Sequence, residues 1–118
     1  VFGDKSITMK NSILANNVAL NGGNNWNIQH NCSQPVISAG NNLQFPKPKD
    51  APCAAGILIA DPNLDELKNN GGLTPTRALL PGSEAINRAS GCPTTDQRNL
   101  LRIRQGNSLC DIGAFEKI

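Results

Sequence analysis

Polar Ser6, Thr8 and Lys10 alternate with apolar Ile7 and Met9 along KSITMKNSILANN (residues 5–17), and an apolar pair, Ile13-Leu14, follows before Asn16-Asn17. A period of two belongs to a half-buried strand. The run therefore predicts a short strand with Ile7 and Met9 inward, a corner near Asn11-Ser12, and a second short strand. The plan returns at PVISAGNNL (residues 35–43), with apolar Ile37, small Ala39-Gly40 and a corner at Asn41-Asn42. It returns again at GILIADPNL (56–64), with a corner at Asp61-Pro62-Asn63, and more loosely at TRALLPGSEAIN (76–87). Between the first two copies, VALNGGNNWNIQHNC reads as a polar Gly/Asn-rich loop carrying the chain's one Trp and one His, Trp26 and His30.

Weak self-similarity at roughly twenty to twenty-five residues points to stacked units. None holds enough apolar side chains to form a core alone, so burial has to come from the unit above and below. Leu positions do not recur at leucine-rich-repeat spacing. Stacked strands with Asn at the corners fit, because in-register amides can hydrogen-bond along the stack. The fold class is accordingly all-β, a right-handed parallel β-helix, with an irregular β-sandwich as the alternative. In DPNLDELKNNGG (residues 61–72), Asp61 as cap, Pro62 at the first position and Gly71-Gly72 as the stop predict one or two helical turns.

Composition sharpens this picture. Sixteen Asn and eleven Gly in 118 residues favour corners and left-handed positions over long helices. Eleven basic against nine acidic residues, net +2, leave no electrostatic footprint for nucleic acid or a membrane surface. One Trp, three Phe and no Tyr remove the stacking platforms of single-strand binders and of most sugar clefts. No run of eighteen apolar residues could span a membrane. Four cysteines in so short a chain suit an oxidising compartment. The chain opens on Val1 with no leader pattern, as expected of a processed chain or part of a longer one.

From Cys53 onward the match to a known family is specific. IADPNLDELKNNGGLTPTRALLPGSEAINRA, then CPTTDQRN, then CDIGAFE, resembles the carboxy-terminal end of bacterial right-handed parallel β-helix repeat proteins labelled as carrying a choice-of-anchor Q domain. NSILANN, NCS and GNNL are similar to that family's last full coils. Asn99 stands where the family has Gly after D-Q-R, a change that Asn accommodates through its tolerance of left-handed backbone. The resemblance implies a secreted or cell-surface bacterial protein and the last few coils of a solenoid with further coils upstream. It implies no activity. It also implies disulfides Cys32–Cys53 and Cys92–Cys110, each closing a loop between neighbouring coils and each contributing roughly 3 kcal/mol in the chain-entropy picture.

On this reading residues 1–64 hold the terminal coils, with the Asn/Gly-rich loop at 20–32, and residues 65–118 form the final coil and a disulfide-bonded C-terminal cap. Asp96 and Arg98 are spaced for a bidentate pair that fastens the cap. Arg102 and Arg104 lie nearby, Asp111 and Phe115 are further cap-stabilising residues, and Ile112, Ala114 and Phe115 would lay apolar surface across the last coil. With no C-x-x-C and one His, a zinc site is not expected. DPNLD matches the first half of a calcium loop, but Glu66 and Gly72 stand at the positions where a Gly and a bidentate Glu belong. His30 lacks an acid–base partner in sequence. Asn31-Cys32-Ser33 fits the glycosylation pattern but should stay bare.

The expected function is an extracellular, non-catalytic structural and interaction module, an adhesin-like scaffold closing a solenoid, without cofactor. Its expected partner is a protein or a second copy at the open edge from Val1 to Met9, with Ile7, Met9 and Trp26 as contacts and a surface glycan as a further ligand. The alternatives are the tail of a polysaccharide lyase or hydrolase with its catalytic coils upstream, and a surface-layer or filament subunit assembling through the same edge.

Overall fold

The computed structural model describes residues 7–20, 27–29, 31–49, 51–102 and 108–117. Its regular structure is all β, and no described residue lies in a helix. The described residues form nine short strands: β1 (Thr8–Met9), β2 (Ile13–Ala15), β3 (Val18–Leu20), β4 (Asn27–Gln29), β5 (Ile37–Ser38), β6 (Leu43–Phe45), β7 (Leu58–Ile59), β8 (Leu64–Lys68) and β9 (Thr76–Leu79).

The N-terminal half is a stack of matching strand–corner–strand units. β1 pairs in parallel with β5, and β2, β6 and β7 form a three-stranded parallel sheet in that order. Its register places Ile13, Leu43 and Leu58 in one column and Ala15 beside Phe45 in another. The step from Ile13 to Leu43 is about twice that from Leu43 to Leu58. Neither step has the spacing of twenty to twenty-five residues, because the longer one carries an inserted antiparallel pair, β3 with β4. Of the expected 20–32 loop, Leu20 and Asn27–Gln29 lie in that pair.

Asparagine makes the corners. Asn11, Asn16 and Asn41 all have positive φ, a left-handed conformation that Asn supports better than other residues bearing a Cβ. The Asn41 amide donates to Asn11 Oδ1 at 3.1 Å, a bond along the stack between equivalent corners. Asn42, next in the chain, is buried and fully engaged. It accepts from the Ser12 N–H and donates to the Met9 carbonyl and the Ser38 hydroxyl, each at 2.9 Å. Asn42→Ala would leave the Ser12 N–H without its partner inside the stack and take one of two donors from the Met9 carbonyl, which keeps the Ala39 N–H. A loss of about 2–3 kcal/mol in urea unfolding is expected, against about 1 kcal/mol for Asn41→Ala at the more open ladder position.

Two apolar clusters form among the described residues. Val36, Ala54 and Ile57 pack with half-buried Ile7 and Met9, so Val36 rather than Ile37 takes the inward place in the second unit, and Ile37 faces out. The larger cluster unites Leu43, Leu79, Ala85, Ala89, Cys110 and Ile112 with Ile13, Phe45, Leu58 and Ala60. The C-terminal half thus packs across the inner side chains of all three stacked strands. The disulfides join Cys32 to Cys53 and Cys92 to Cys110.

The helical turns expected over residues 61–72 are absent, and an antiparallel hairpin of β8 with β9 takes their place. Asp61 still bonds an N–H two residues on, that of Asn63 at 2.8 Å, but Asn63 has positive φ and turns the chain into a strand. An acid before Pro-Asn serves such a turn as readily as a helix cap. The hairpin also removes TRALL from the expected fourth stacked unit.

Candidate functional site

The densest polar chemistry lies where residues 96–102 meet residues 111–117. A tight turn begins at Asp96, whose Oδ1 accepts the N–H groups of Arg98 (2.8 Å) and Leu100 (3.2 Å), while Asn99 adopts positive φ. Oδ2 accepts Arg98 Nε (2.9 Å), Arg98 Nη2 (2.7 Å) and the N–H of Glu116 (3.0 Å). The Asp96–Arg98 pair is therefore real but not fork-to-fork. Two guanidinium nitrogens converge on one oxygen, because the turn itself occupies the other.

Arg98 continues outward from this pair. Its Nη2 donates to the Glu116 carbonyl at 2.7 Å, and its guanidinium lies 3.7 Å over the Phe115 ring, a cation–π stack in a desolvated setting. Gly72, at the hairpin tip, comes so close that a Cβ there would sit 2.8 Å from Arg98 Cα. Phe115 is thus a stacking partner of Arg98 as well as a neighbour of the main cluster.

Arg102 forms the second half of the network. It donates to the carbonyls of Thr95 (3.2 Å), Asp111 (3.4 Å) and Gly113 (2.7 Å) and pairs with Glu116 Oε2 at 3.2 Å. Glu116 Oε2 also accepts the Asp111 N–H at 3.0 Å. Among the described residues Asp111 has no ion-pair partner. Its two oxygens accept the N–H groups of Asn87 and Lys117, fastening the segment at both ends. Asp96, Arg98, Arg102, Asp111 and Glu116 are all buried, and no fully buried side-chain polar atom among the described residues lacks a partner.

Of the residues expected to cover the last coil, Ile112 and Phe115 pack in the main cluster with Leu58 and Ala60, and Ala114 is exposed. Meanwhile the Gly113 N–H reaches back to the Asn11 carbonyl of the first unit at 2.9 Å. Gly113 has positive φ, and a Cβ there would stand 2.8 Å from Ile13 Cδ1, so the contact depends on glycine. The Asn11 amide donates to Ser90 O (3.1 Å) and toward Cys92 Sγ (3.4 Å), completing the clasp.

Burial opposes charge on Asp96, but the Glu116 N–H, the Arg98 side chain and the turn N–H groups outweigh it, holding the carboxyl below its ordinary 3.8. Burial pushes Glu116 above its ordinary 4.5, with the Asp111 charge adding to the rise against the Asp111 N–H and Arg102. The two shifts act oppositely on stability. Asp96 contributes stability that is present above 3.8 and lost as pH falls through its lower folded value. Glu116 binds its proton more tightly folded than unfolded, so stability grows as pH falls toward 4.5 and levels off below. Urea midpoints should pass through a maximum near the ordinary carboxylate range, with Asp96→Asn flattening the acid limb and Glu116→Gln the upper one.

Other candidate residues are elsewhere. Ile7 and Met9 face the smaller cluster, which makes them half-buried packing residues of β1. Trp26, His30 and Arg104 lie outside the described residues, as do Val1–Ser6 of the expected edge. Asp61 is engaged with the Asn63 N–H and Asp65 pairs with Lys68. Asn31 is buried, with its amide donating to the Phe45 carbonyl at 3.0 Å, so it ties the inserted pair to the stack instead of presenting itself to a glycan. Glu116 and Arg102 were not singled out as fastening residues. Their pairing spans fourteen positions and has no local spacing signal.

Comparison with family models, curated proteins and solved structures found no match to this chain.

Proposed function

We propose that this chain is an extracellular, non-catalytic module, the closing coils of a right-handed parallel β-helix of the choice-of-anchor Q kind, serving as a rigid scaffold and interaction surface. The observation that carries the reading is the parallel stack of β1–β2 on β5–β6, joined corner to corner by Asn41 and Asn11. Stacked units of this sort terminate in an edge that recruits another strand. Two disulfides are compatible with an oxidising exterior. The C-terminal network supplies rigidity, since it spends its charged groups on internal bonds rather than aiming them at a cleft.

The test is site-specific photo-crosslinking on intact cells of the native source, with the crosslinker at exposed Thr8 on β1 and, as control, at exposed Thr94. Adducts with another protein or a second copy from Thr8 alone are expected. Equal labelling from both sites, or turnover of an acidic polysaccharide by the purified protein, would overturn the reading.

A further inference from the structure

The outer side of β2 opens on a cleft of ≈ 360 Å³ whose lining includes Ser12, Ile13 and Ala15 of the strand, with Arg77 and Phe115 opposite. The Leu43 N–H bonds the Ser12 carbonyl, and the Asn16 N–H bonds the Phe45 carbonyl. Backbone groups alternate sides along a strand, so Ser12, Leu14 and Asn16 face β6 while Ile13 and Ala15 turn their N–H and C=O groups away from it. Among the described residues, β2 has a strand on the β6 side only. Both ends of that outer edge lie at positive-φ asparagines, Asn11 and Asn16, which leaves about one three-residue rung to fill.

The neighbouring rungs define what fits. The column above Leu58 and Leu43 ends at Ile13, and that beside Phe45 ends at Ala15, so the next strand needs an aliphatic side chain over Ile13 and a compact one over Ala15. Arg77 is the one charged residue in the lining. It spends Nη1 on the Asp65 carbonyl at 3.0 Å; the Asp65 carboxylate, which feels its charge, is itself paired with Lys68, and no acid lies in the lining. The geometry points to an extended peptide segment, aliphatic-x-small with a following carboxylate, that adds to β2 as a parallel strand and meets Arg77. This rests on the interaction-module reading and moves its contact from the Val1–Met9 edge to Ile13–Ala15.

The probe is acetyl-Ile-Leu-Ile-Ala-Asp-amide, the chain's own rung at residues 57–61, titrated into ¹⁵N-labelled protein. Saturating amide shifts centred on Ile13, Ala15 and Gly113 are expected. Arg77→Gln should weaken binding by up to about fivefold. A probe ending in Asn should lose the same factor on the unsubstituted protein and nothing more on Arg77→Gln. Ala15→Pro, which removes an outward N–H and no inward one, should abolish the shifts while leaving those of Leu43 and Phe45 in place. Shifts centred elsewhere, none at about 1 mM probe, or the same shifts on concentrating the protein without probe would each overturn the proposal. The last result would assign the cleft to a second copy. Crosslinks from Thr8 together with a silent cleft would sink this proposal alone and leave the module reading standing.

Discussion

Asp96→Ala is expected to destabilise the protein by about 3–5 kcal/mol, read as a fall in urea midpoint with little change in slope. A domain of this size holds about 5–15 kcal/mol in all, so the variant would sit near the folding threshold. The carboxylate collects five N–H bonds, three from backbone and two from Arg98. Its removal strands a buried guanidinium and opens the turn beneath it. Arg98→Ala should cost less, because Asp96 retains its three backbone donors while the stack on Phe115 and the bond to the Glu116 carbonyl are lost. The double variant should cost clearly less than the two singles added together, as residues of one network do. A loss below about 1 kcal/mol for Asp96→Ala would show that the network is peripheral to the fold.

Replacing both Cys92 and Cys110 with alanine should cost roughly 3 kcal/mol in the same measurement, most of it through a freer unfolded chain. Cys110 is buried in the main cluster, and its backbone exchanges two hydrogen bonds with Ala89, at 2.9 and 3.0 Å. The folded arm should therefore keep its place when the sulfur bridge goes. The near-ultraviolet signal and the acid–base profile set by Asp96 and Glu116 should survive in the variant. If instead the double alanine variant loses the pH maximum, the disulfide positions the network and the two devices are one.

Much of the stack was legible. Alternation from Ser6 to Lys10, and Asn at the corners, required only the period of a strand and the left-handed tolerance of Asn, and the structure has both at Thr8–Met9, Asn11 and Asn41. The cysteine pairs came from the family resemblance rather than from spacing, and they are the pairs present. What failed was decided by distant partners. Residues 61–72 carry the marks of a helix start, but Leu64–Lys68 finds Thr76–Leu79, and ladder bonds to that strand outweigh a weak local preference. Val36 and Ile37 are equally apolar. Only the bond of the Val36 N–H to the Cys53 carbonyl, with the packing of Ala54 and Ile57, selects which one turns inward. Glu116 is in the same position, since its burial and its pairing with Arg102 arise only once the chain has folded back.

Residue-resolved amide hydrogen exchange on the free protein tests the account most directly. A parallel stack closed from the side, with one edge left for a partner, predicts alternation along β2. Leu14 and Asn16, bonded into the stack, should exchange as slowly as Leu43, while Ile13 and Ala15, facing the cleft, should exchange faster by orders of magnitude. Uniform protection across residues 13–16 would mean that the outer edge is already paired, and uniform exposure would mean that the first unit is not stacked on the second. Either result would contradict the interaction surface proposed for this chain.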